Sequence, residues 1–147
     1  VIVNPAIPSL EMREGVAMSL KYEGGLEIES QAKQKAPAAM GDVIWTKAGR
    51  LRAKRVAHAV AETQGTTCIQ RCVLRTLLEG ERLRALNIAF PAFGTEYAEV
   101  PTEQSAGLML EAIRTFAELE PVFLNQVEIV LNTLEDYQAW LEIIESV

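Results

Sequence analysis

Short apolar and β-branched runs recur along the chain and predict five strands. Few polar positions interrupt a run, and each run is bounded by a turn or a helix-like stretch, as is typical of strands buried on both faces. The pattern therefore predicts a central sheet with helices on both sides. The runs are residues 1–3 (VIV), 42–45 (DVIW), 55–61 (RVAHAVA), 87–90 (NIAF) and 126–131 (QVEIVL).

Three longer segments place apolar residues at three- and four-residue spacing, which predicts helices with one buried face. We expect Thr66 or Thr67 to cap the first helix, and Thr133, with Asp136 three residues on, to cap the third. The positions expected to face inward are Ile69, Cys72, Val73, Thr76, Leu77, Leu83 and Leu86 in the first helix, Ala106, Met109, Leu110, Ile113 and Phe116 in the second, and Tyr137, Trp140, Leu141 and Ile144 in the third.

Strands that alternate with amphipathic helices predict an α/β fold. The expected architecture is a three-layer α/β/α sandwich with a mixed, largely parallel central sheet. A length of 147 residues fits one domain over residues 1–147, and neither a linker nor an internal repeat interrupts it. The opening VIVNPA reads as a central strand already under way, so we expect an N-terminal segment of the native domain to be missing.

The composition favours a cytoplasmic protein. The chain is 49% hydrophobic and 23% charged, and it has no apolar run long enough to cross a bilayer. It does not open with a secretory signal pattern, and two cysteines are too few for a secreted disulfide scaffold.

The charge is distributed unevenly along the chain. Residues 1–95 carry 13 Lys and Arg against 9 Asp and Glu, whereas residues 96–147 carry one basic residue, Arg114, against 11 acidic ones. A net charge of -6 disfavours nucleic acid as a partner. The run KAGRLRAKR at residues 47–55 could form a basic strip. Because it lacks interleaved aromatic residues, a solvated turn is the favoured interpretation.

The chain offers few candidates for catalysis. His58 lies within VAHAVA with no neighbouring nucleophile, so a buried, hydrogen-bonded histidine is favoured over a catalytic base. Cys68 and Cys72 are expected to be core thiols, since two cysteines are too few for a structural zinc site. Glu96 and Glu99 could pair as a metal or acid/base site but are favoured as solvated carboxylates.

Several motifs occur in a characteristic order. VIVNPA opens the chain, EGVA follows at residues 14–17, and NIAFPAFGT at residues 87–95 precedes VP and a helix. This order, which covers essentially the whole chain, resembles the macro domain family, whose members bind ADP-ribose and related nucleotides. The most specific part is residues 41–60, where the positions matching the family pattern are Gly41, Asp42, Thr46, Ala48, Gly49, Leu51, Ala53, Lys54, Val56, His58, Ala59 and Val60.

The resemblance implies how a ligand would be held. Macro domains bind a diphosphate with backbone amides from two loops at helix N-termini, and unpaired N–H groups there attract phosphate without any lysine. No cofactor, metal ion or catalytic residue is expected. Tyr97 would either cover the ligand or lie at the rim. The candidate ligand-binding residues are Asn4, Pro5, Ala6, Gly15, Val16, Ala17, Phe93, Gly94, Thr95, Glu96 and Tyr97.

The chain departs from the family pattern at ligand-facing positions. Ile7 and Ala17 stand where hydrolytic members place an Asn and an Asp, which argues against an enzyme. Residues 13–16 (REGV) retain one glycine of the usual three, and residues 96–99 (EYAE) replace further glycines, with two carboxylates in the second loop. Asn132 replaces an aromatic residue that stacks on adenine in relatives.

Two classes of function follow from the match and the departures. The first is a binding module for ADP-ribose or a similar phosphorylated nucleotide, with Asn4 at the floor of the cleft. The second is a diverged macro-fold interaction or oligomerisation domain that has lost this ligand. Hydrolysis of ADP-ribosyl or O-acetyl-ADP-ribose esters is a weaker third alternative. The expected partners are a small nucleotide ligand and a second copy of the chain.

Overall fold

The computed structural model describes residues 1–61, 66, 68–95 and 99–146. The five predicted strands are all present there, together with five helices. In chain order the elements are β1 (Ile2–Ala6), α1 (Gly15–Gly24), α2 (Glu27–Lys33), β2 (Val43–Lys47), β3 (Arg55–Val60), α3 (Ile69–Arg82), β4 (Asn87–Pro91), α4 (Thr102–Ala117), β5 (Gln126–Val130) and α5 (Leu134–Glu145).

The strands form one mixed sheet in the order β2-β3-β1-β4-β5. Strand β1 is parallel to both β3 and β4, and β4 is parallel to β5, whereas β2 runs antiparallel to β3. The prediction of a mixed, largely parallel sheet is therefore confirmed. The central strands are also the most buried, since β1 and β3 are apolar nearly throughout.

Helices cover opposite faces of this sheet and make three layers. Ala57 and Ala59 of β3 share a core with α3, α4 and Trp140 of α5. Val56 and Val60, which alternate with them along the strand, pack instead against residues of α1, α2 and the loops beside them. Because alternate strand residues point to opposite faces, the two sets of helices lie on opposite sides of the sheet.

The helix faces were predicted well in the middle of the chain and poorly at its end. Helix α3 buries the first five predicted positions, but it ends at Arg82, so Leu83 and Leu86 lie beyond it and are exposed. Helix α4 places its predicted positions inward. In α5 only Trp140 of the four predicted residues is buried, and the exposed ones are Tyr137, Leu141 and Ile144.

One of the predicted helix caps is confirmed and another is wrong. Thr133 caps α5, because its Oγ1 accepts a hydrogen bond of 3.1 Å from the Asp136 N–H. Thr66 does not cap α3, which has Cys68 at its N-cap position without a side-chain bond. Thr67 lies outside the described residues.

The two cysteines are core thiols, as predicted. Cys68 and Cys72 are buried and not joined by a disulfide. Burial raises the pKa of the Cys72 thiol to about 12, so it is uncharged at neutral pH. Across the described ranges, no helix combines the length and the apolar content needed to cross a membrane.

Candidate functional site

The topology of the sheet places a crevice at the carboxyl ends of β1 and β4. After β1 the chain enters α1 on one face, and after β4 it enters α4 on the other face. The loops that follow two adjacent parallel strands therefore diverge, and ligands of open α/β sheets bind in the crevice that such loops leave. The candidate residues from the sequence lie on these two loops.

The first loop ends at the N-terminus of α1. Gly15 begins the helix with a φ of +57°, in the left-handed region that favours glycine. Its N-cap residue Glu14 makes no side-chain cap bond. The N–H groups of Gly15, Val16 and Ala17 have no hydrogen-bond partner among the described residues, and the first helical bond to Glu14 is made by Met18. Free amides at a helix start form an anion-binding surface.

The second loop is fixed to the core from beneath. Phe93 is fully buried, its N–H donates to Met109 Sδ at 3.4 Å, and its carbonyl accepts from Ser105 Oγ at 2.6 Å. Gly94 has a φ of +81° and is packed closely by Ile69 and Val100. Phe93 therefore supports the loop from the core side, where its aromatic ring meets that of Phe90 edge-on.

Thr95 is the last described residue on the β4 side of this loop and is half-buried. Glu96 and Tyr97, which were predicted to contact the ligand, lie outside the described residues, as does Ala98. Glu99 is exposed and has a φ of +53°. A carboxylate residue in this region carries backbone strain that glycine would not, in agreement with a position that held glycine in the family pattern.

The described residues outline two small depressions along the crevice. One, of about 100 Å³, is lined by Pro5, Ala17 and neighbours of the first loop. The other, of about 50 Å³, is lined by Val16 of α1 and by Thr95 of the second loop. The structure thus places residues of the two predicted loops together. Both depressions are smaller than a typical ligand pocket of about 300 to 1,000 Å³.

Charged side chains border the first depression. Its lining includes Glu11, Arg13 and Glu14. Glu11 and Arg13 form an ion pair, and the hydrogen bond from the Arg13 guanidinium holds the pKa of the Glu11 carboxyl below its usual range. Arg13 is thus the described cation at the start of α1, and its charge is partly offset by the adjacent carboxylate.

A chain of buried polar side chains lies beneath the crevice, across three strands. Asn4 Nδ2 is 2.9 Å from His58 Nδ1, and Thr46 Oγ1 is 2.9 Å from His58 Nε2. The Thr46 hydroxyl donates its proton to the Lys47 carbonyl, so it accepts from His58 Nε2–H, and His58 Nδ1 accepts from the Asn4 amide. His58 is fully buried, which confirms the prediction of a hydrogen-bonded core histidine.

The hydrogen bond to His58 limits the contacts that Asn4 can make with a ligand. The residue is 1% exposed, and its amide nitrogen is committed to His58. Its Oδ1 atom has no hydrogen-bond partner among the described residues. Asn4 therefore ties the middle of β1 to β3, and Pro5 is the residue of β1 that lines the first depression.

Known proteins identify the family to which this fold belongs. The family model of the macro domain matches residues 3–109. The chain belongs to the macro domain family. An uncharacterized protein of Pyrobaculum aerophilum is 35% identical over 99% of this chain and 83% of its own length. An uncharacterized protein of Aquifex aeolicus is also 35% identical, over 98% of this chain and 88% of its own length.

Solved macro domains share the fold. A macrodomain mutant of Oceanobacillus iheyensis with ADPR superposes with a TM-score of 0.91 at 23% identity, covering 99% of this chain and 84% of its own. The Trypanosoma brucei macrodomain in complex with ADP-ribose gives a TM-score of 0.91 at 19% identity, over 97% of this chain and 62% of its own. At these identities the match establishes the architecture.

The structure adds Asp136 to the macro domain crevice, a residue that the sequence did not indicate for the site, and it places Asn132, which was noted in place of an adenine-stacking aromatic residue, beside it. Asn132 and Asp136 line the second depression together with Val16 and Thr95. Asp136 was assigned only to a helix cap, yet its Oδ1 also accepts a 3.0 Å hydrogen bond from the Thr102 hydroxyl. The signal that could have found Asp136 was its position, because it follows β5, whose carboxyl end lies beside that of β4.

Proposed function

We propose that this macro domain is a binding module for ADP-ribose or a related phosphorylated nucleotide derivative. Its diphosphate is held by backbone amides of the β1–α1 and β4–α4 loops. The observation that carries the proposal is the set of three amides at Gly15, Val16 and Ala17 that have no hydrogen-bond partner in the described part of the chain, with Val16 and Thr95 lining the same depression. Such amides, at the positive end of a ten-residue helix, favour phosphate oxygens.

The proposed module binds without hydrolysing. Ile7 and Ala17 both line the first depression, and neither side chain can orient a water molecule or accept a proton. His58 is separated from the crevice by its burial and by hydrogen bonds at both ring nitrogens. At the two positions where hydrolytic members carry an Asn and an Asp, the described crevice therefore offers only apolar side chains.

The experiment is a calorimetric titration of the purified chain with ADP-ribose. AMP and ribose 5-phosphate serve as comparators, because each carries one phosphate and only part of the ligand. Binding of ADP-ribose that is tighter than binding of either comparator supports the two-loop site. A folded sample that gives no heat with ADP-ribose would contradict the proposal.

The crevice also yields a mutational prediction. Val16→Glu places a carboxylate within the first turn of α1, where a negative charge stabilises the helix but repels a bound diphosphate. At about 5 Å the repulsion is about 3 kcal/mol at the effective dielectric of a protein surface, so we expect ADP-ribose affinity to fall at least tenfold. The measurement is the same titration, together with thermal unfolding.

Val16→Gln is the matched control, because it has nearly the same shape without the charge. It should retain most of the wild-type affinity, and both variants should remain as stable as the parent. Equal affinity of Val16→Glu and the parent would show that the start of α1 does not face the diphosphate.

One observation favours the second function, an interaction or oligomerisation domain. Helix α5 and the end of β5 expose an apolar stripe, of which Leu134 is 71% and Val130 is 59% accessible. Tyr137, Leu141 and Ile144 continue it at helical spacing. Contiguous exposed apolar surface of this kind marks contact sites. A self-association that persists when ADP-ribose gives no heat would favour this function over nucleotide binding.

A further inference from the structure

Three adjoining grooves run along the sheet edge that lies opposite the crevice. We call them together the basic trough. The first, of about 590 Å³, lies between the α1–α2 junction and Arg50. The second, of about 510 Å³, shares Gly49 with the first, and the third, of about 410 Å³, shares Lys54 and Arg55 with the second. The shared linings make the trough continuous.

The trough is at the amino-terminal edge of the parallel strands. Arg55 is the first residue of β3, Asn87 is the first residue of β4, and both line the third groove. The candidate nucleotide crevice is at the carboxyl ends of β1 and β4, so the sheet separates the two sites. A ligand in the trough does not touch the ligand proposed above.

Cations dominate the lining of the trough. Its described lining holds one carboxylate, Glu27, against the cationic side chains of Lys21, Lys47, Arg50, Arg52, Lys54, Arg55 and Arg84. Lys21 is paired with Glu29 at 3.4 Å. The five cations of residues 47–55 are exposed and form no ion pair within the described part of the chain. Cations outnumber carboxylates in this lining, so this edge is locally positive although the whole chain is acidic.

The arrangement of these cations has a cost in stability. Lys47 of β2 lies directly opposite Arg55 of β3 in the antiparallel pair. Like charges at opposite positions of a β-ladder destabilise it, and neither side chain has a carboxylate partner among the described residues that would offset the repulsion. An anion bound between these strands would relieve it.

The first groove adds an aromatic, apolar end. Tyr22 is 81% exposed and lines this groove beside Met18 and Leu26, which are also exposed. An exposed tyrosine ring next to a row of cations is the combination that holds single-stranded nucleic acid, in which bases stack on rings and phosphates follow the positive groove. Sequence reasoning missed it because Tyr22 belongs to α1 and not to the basic run.

We propose that the basic trough binds a single-stranded polynucleotide. Its phosphates contact the cations of residues 47–55, and one base stacks on Tyr22. A single strand fits better than a duplex, because the bases of a duplex are already stacked and cannot reach an aromatic side chain. The overall negative charge of the chain limits the site to this edge, and the contacts between phosphates and cations make binding fall as salt rises.

The test is fluorescence anisotropy with a labelled uridine oligonucleotide of about 12 residues, titrated at salt concentrations between about 50 and 200 mM. The test variant carries Arg52→Gln, Lys54→Gln and Arg55→Gln. The control variant carries Lys33→Gln, Arg71→Gln and Arg114→Gln, which removes the same charge from exposed positions outside the trough.

We expect the parent chain to bind with an affinity that falls as salt rises. The test variant should lower the slope of log affinity against log salt by about 2, which corresponds to three lost phosphate contacts on a single strand. The control variant should keep the parent slope. Absence of binding at low salt, or an equal loss in both variants, would overturn the proposal.

Tyr22→Ala tests the stacking half of the proposal. We expect it to weaken binding about fivefold or more without changing the salt slope, and Tyr22→Phe to restore affinity. If ADP-ribose displaced the oligonucleotide, the oligonucleotide would be bound in the crevice, and the proposal of a site in the basic trough would be overturned. Polyglutamate could also displace the labelled oligonucleotide as well as an unlabelled oligonucleotide does. If Tyr22→Ala then kept the parent affinity, the trough would be a site for acidic peptides, and the proposal would likewise be overturned.

Discussion

His58 shows how one side chain links three strands of the sheet. Its two ring nitrogens bond to Asn4 of β1 and Thr46 of β2, so the neutral form with a proton on Nε2 satisfies both contacts. Burial, reinforced by the charge of Lys35, lowers the pKa of His58 to about 4. Protonation would place a charge in the core and break the bond in which Nδ1 accepts.

This shift predicts a pH dependence of folding. Because the folded pKa is depressed below the ordinary value of about 6.5, the unfolded chain takes up a proton between pH 6.5 and 4 that the folded chain does not. Stability is therefore complete above that window and falls as the pH falls through it, by up to about 1.4 kcal/mol per pH unit from this group. Chemical denaturation at pH 7 and at intervals down to pH 4.5 measures the effect.

His58→Gln is the control for this dependence. It should be less stable than the parent at pH 7, because a core hydrogen-bond chain is disturbed, yet its stability should decline less with acid. Subtracting the variant curve from the parent curve removes the shared contribution of the carboxylates. A constant difference between the two curves would refute the assignment to His58.

The turn after β2 shows why the most specific family motif includes a glycine. Gly49 has a φ of +55°, and a Cβ atom there would collide with the carbonyl oxygen of Gly24 at the end of α1. That carbonyl also accepts a 2.9 Å hydrogen bond from the Arg50 N–H. The turn is thus locked to α1, and the same contact places Arg50 in the basic trough.

We expect Gly49→Ala to destabilise the protein by about 3 kcal/mol, since backbone would have to move and the residue would remain in a strained conformation. Gly107→Ala is the matched change in an open position: an added Cβ at Gly107 meets no atom, and alanine favours the interior of α4. It should raise the free energy of unfolding by about 1 kcal/mol. Urea denaturation of both variants gives the comparison, and a destabilised Gly107→Ala would contradict it.

The elements that could be predicted from the sequence are those in which the order of apolar and polar residues reveals which faces are buried. Apolar runs predicted the strands because a strand buried on both faces leaves few polar positions. In α5 the spacing shows an apolar stripe, but it does not show whether another element packs on that stripe. Tyr137 and Leu141 are predicted to face inward, and in the structure they are exposed. Helices α1 and α2 were not picked out as separate elements, because α1 in particular has little periodicity.

The candidate site was predicted in outline and not in its contacts. The two loops were located from motif order and from the rule that free amides at a helix start bind anions. The hydrogen bond between Asn4 and His58 joins β1 to β3, and Val16 of α1 shares a depression with Thr95 of the β4–α4 loop. Such pairs are distant in sequence, and spacing along the chain carries no information about them.

The whole molecule separates two kinds of surface on opposite edges of one sheet. The carboxyl edge holds the amide crevice, and the amino edge holds the basic trough. Net charge conceals this division, because the acidic residues concentrate in the last third of the chain while the trough is built from residues 21–55 and Arg84. A small anion and a polymeric anion are thus expected at different places.

The most direct test of the account is to record the amide ¹H–¹⁵N resonances of the chain during titration with ADP-ribose. We expect the largest shifts at Gly15, Val16 and Ala17, with a further shift at Thr95, because these amides would donate to or border the diphosphate. The amides of Arg52 and Arg55 in the trough should remain unchanged. Shifts confined to other parts of the chain, or none from a folded sample, would contradict the proposed amide crevice.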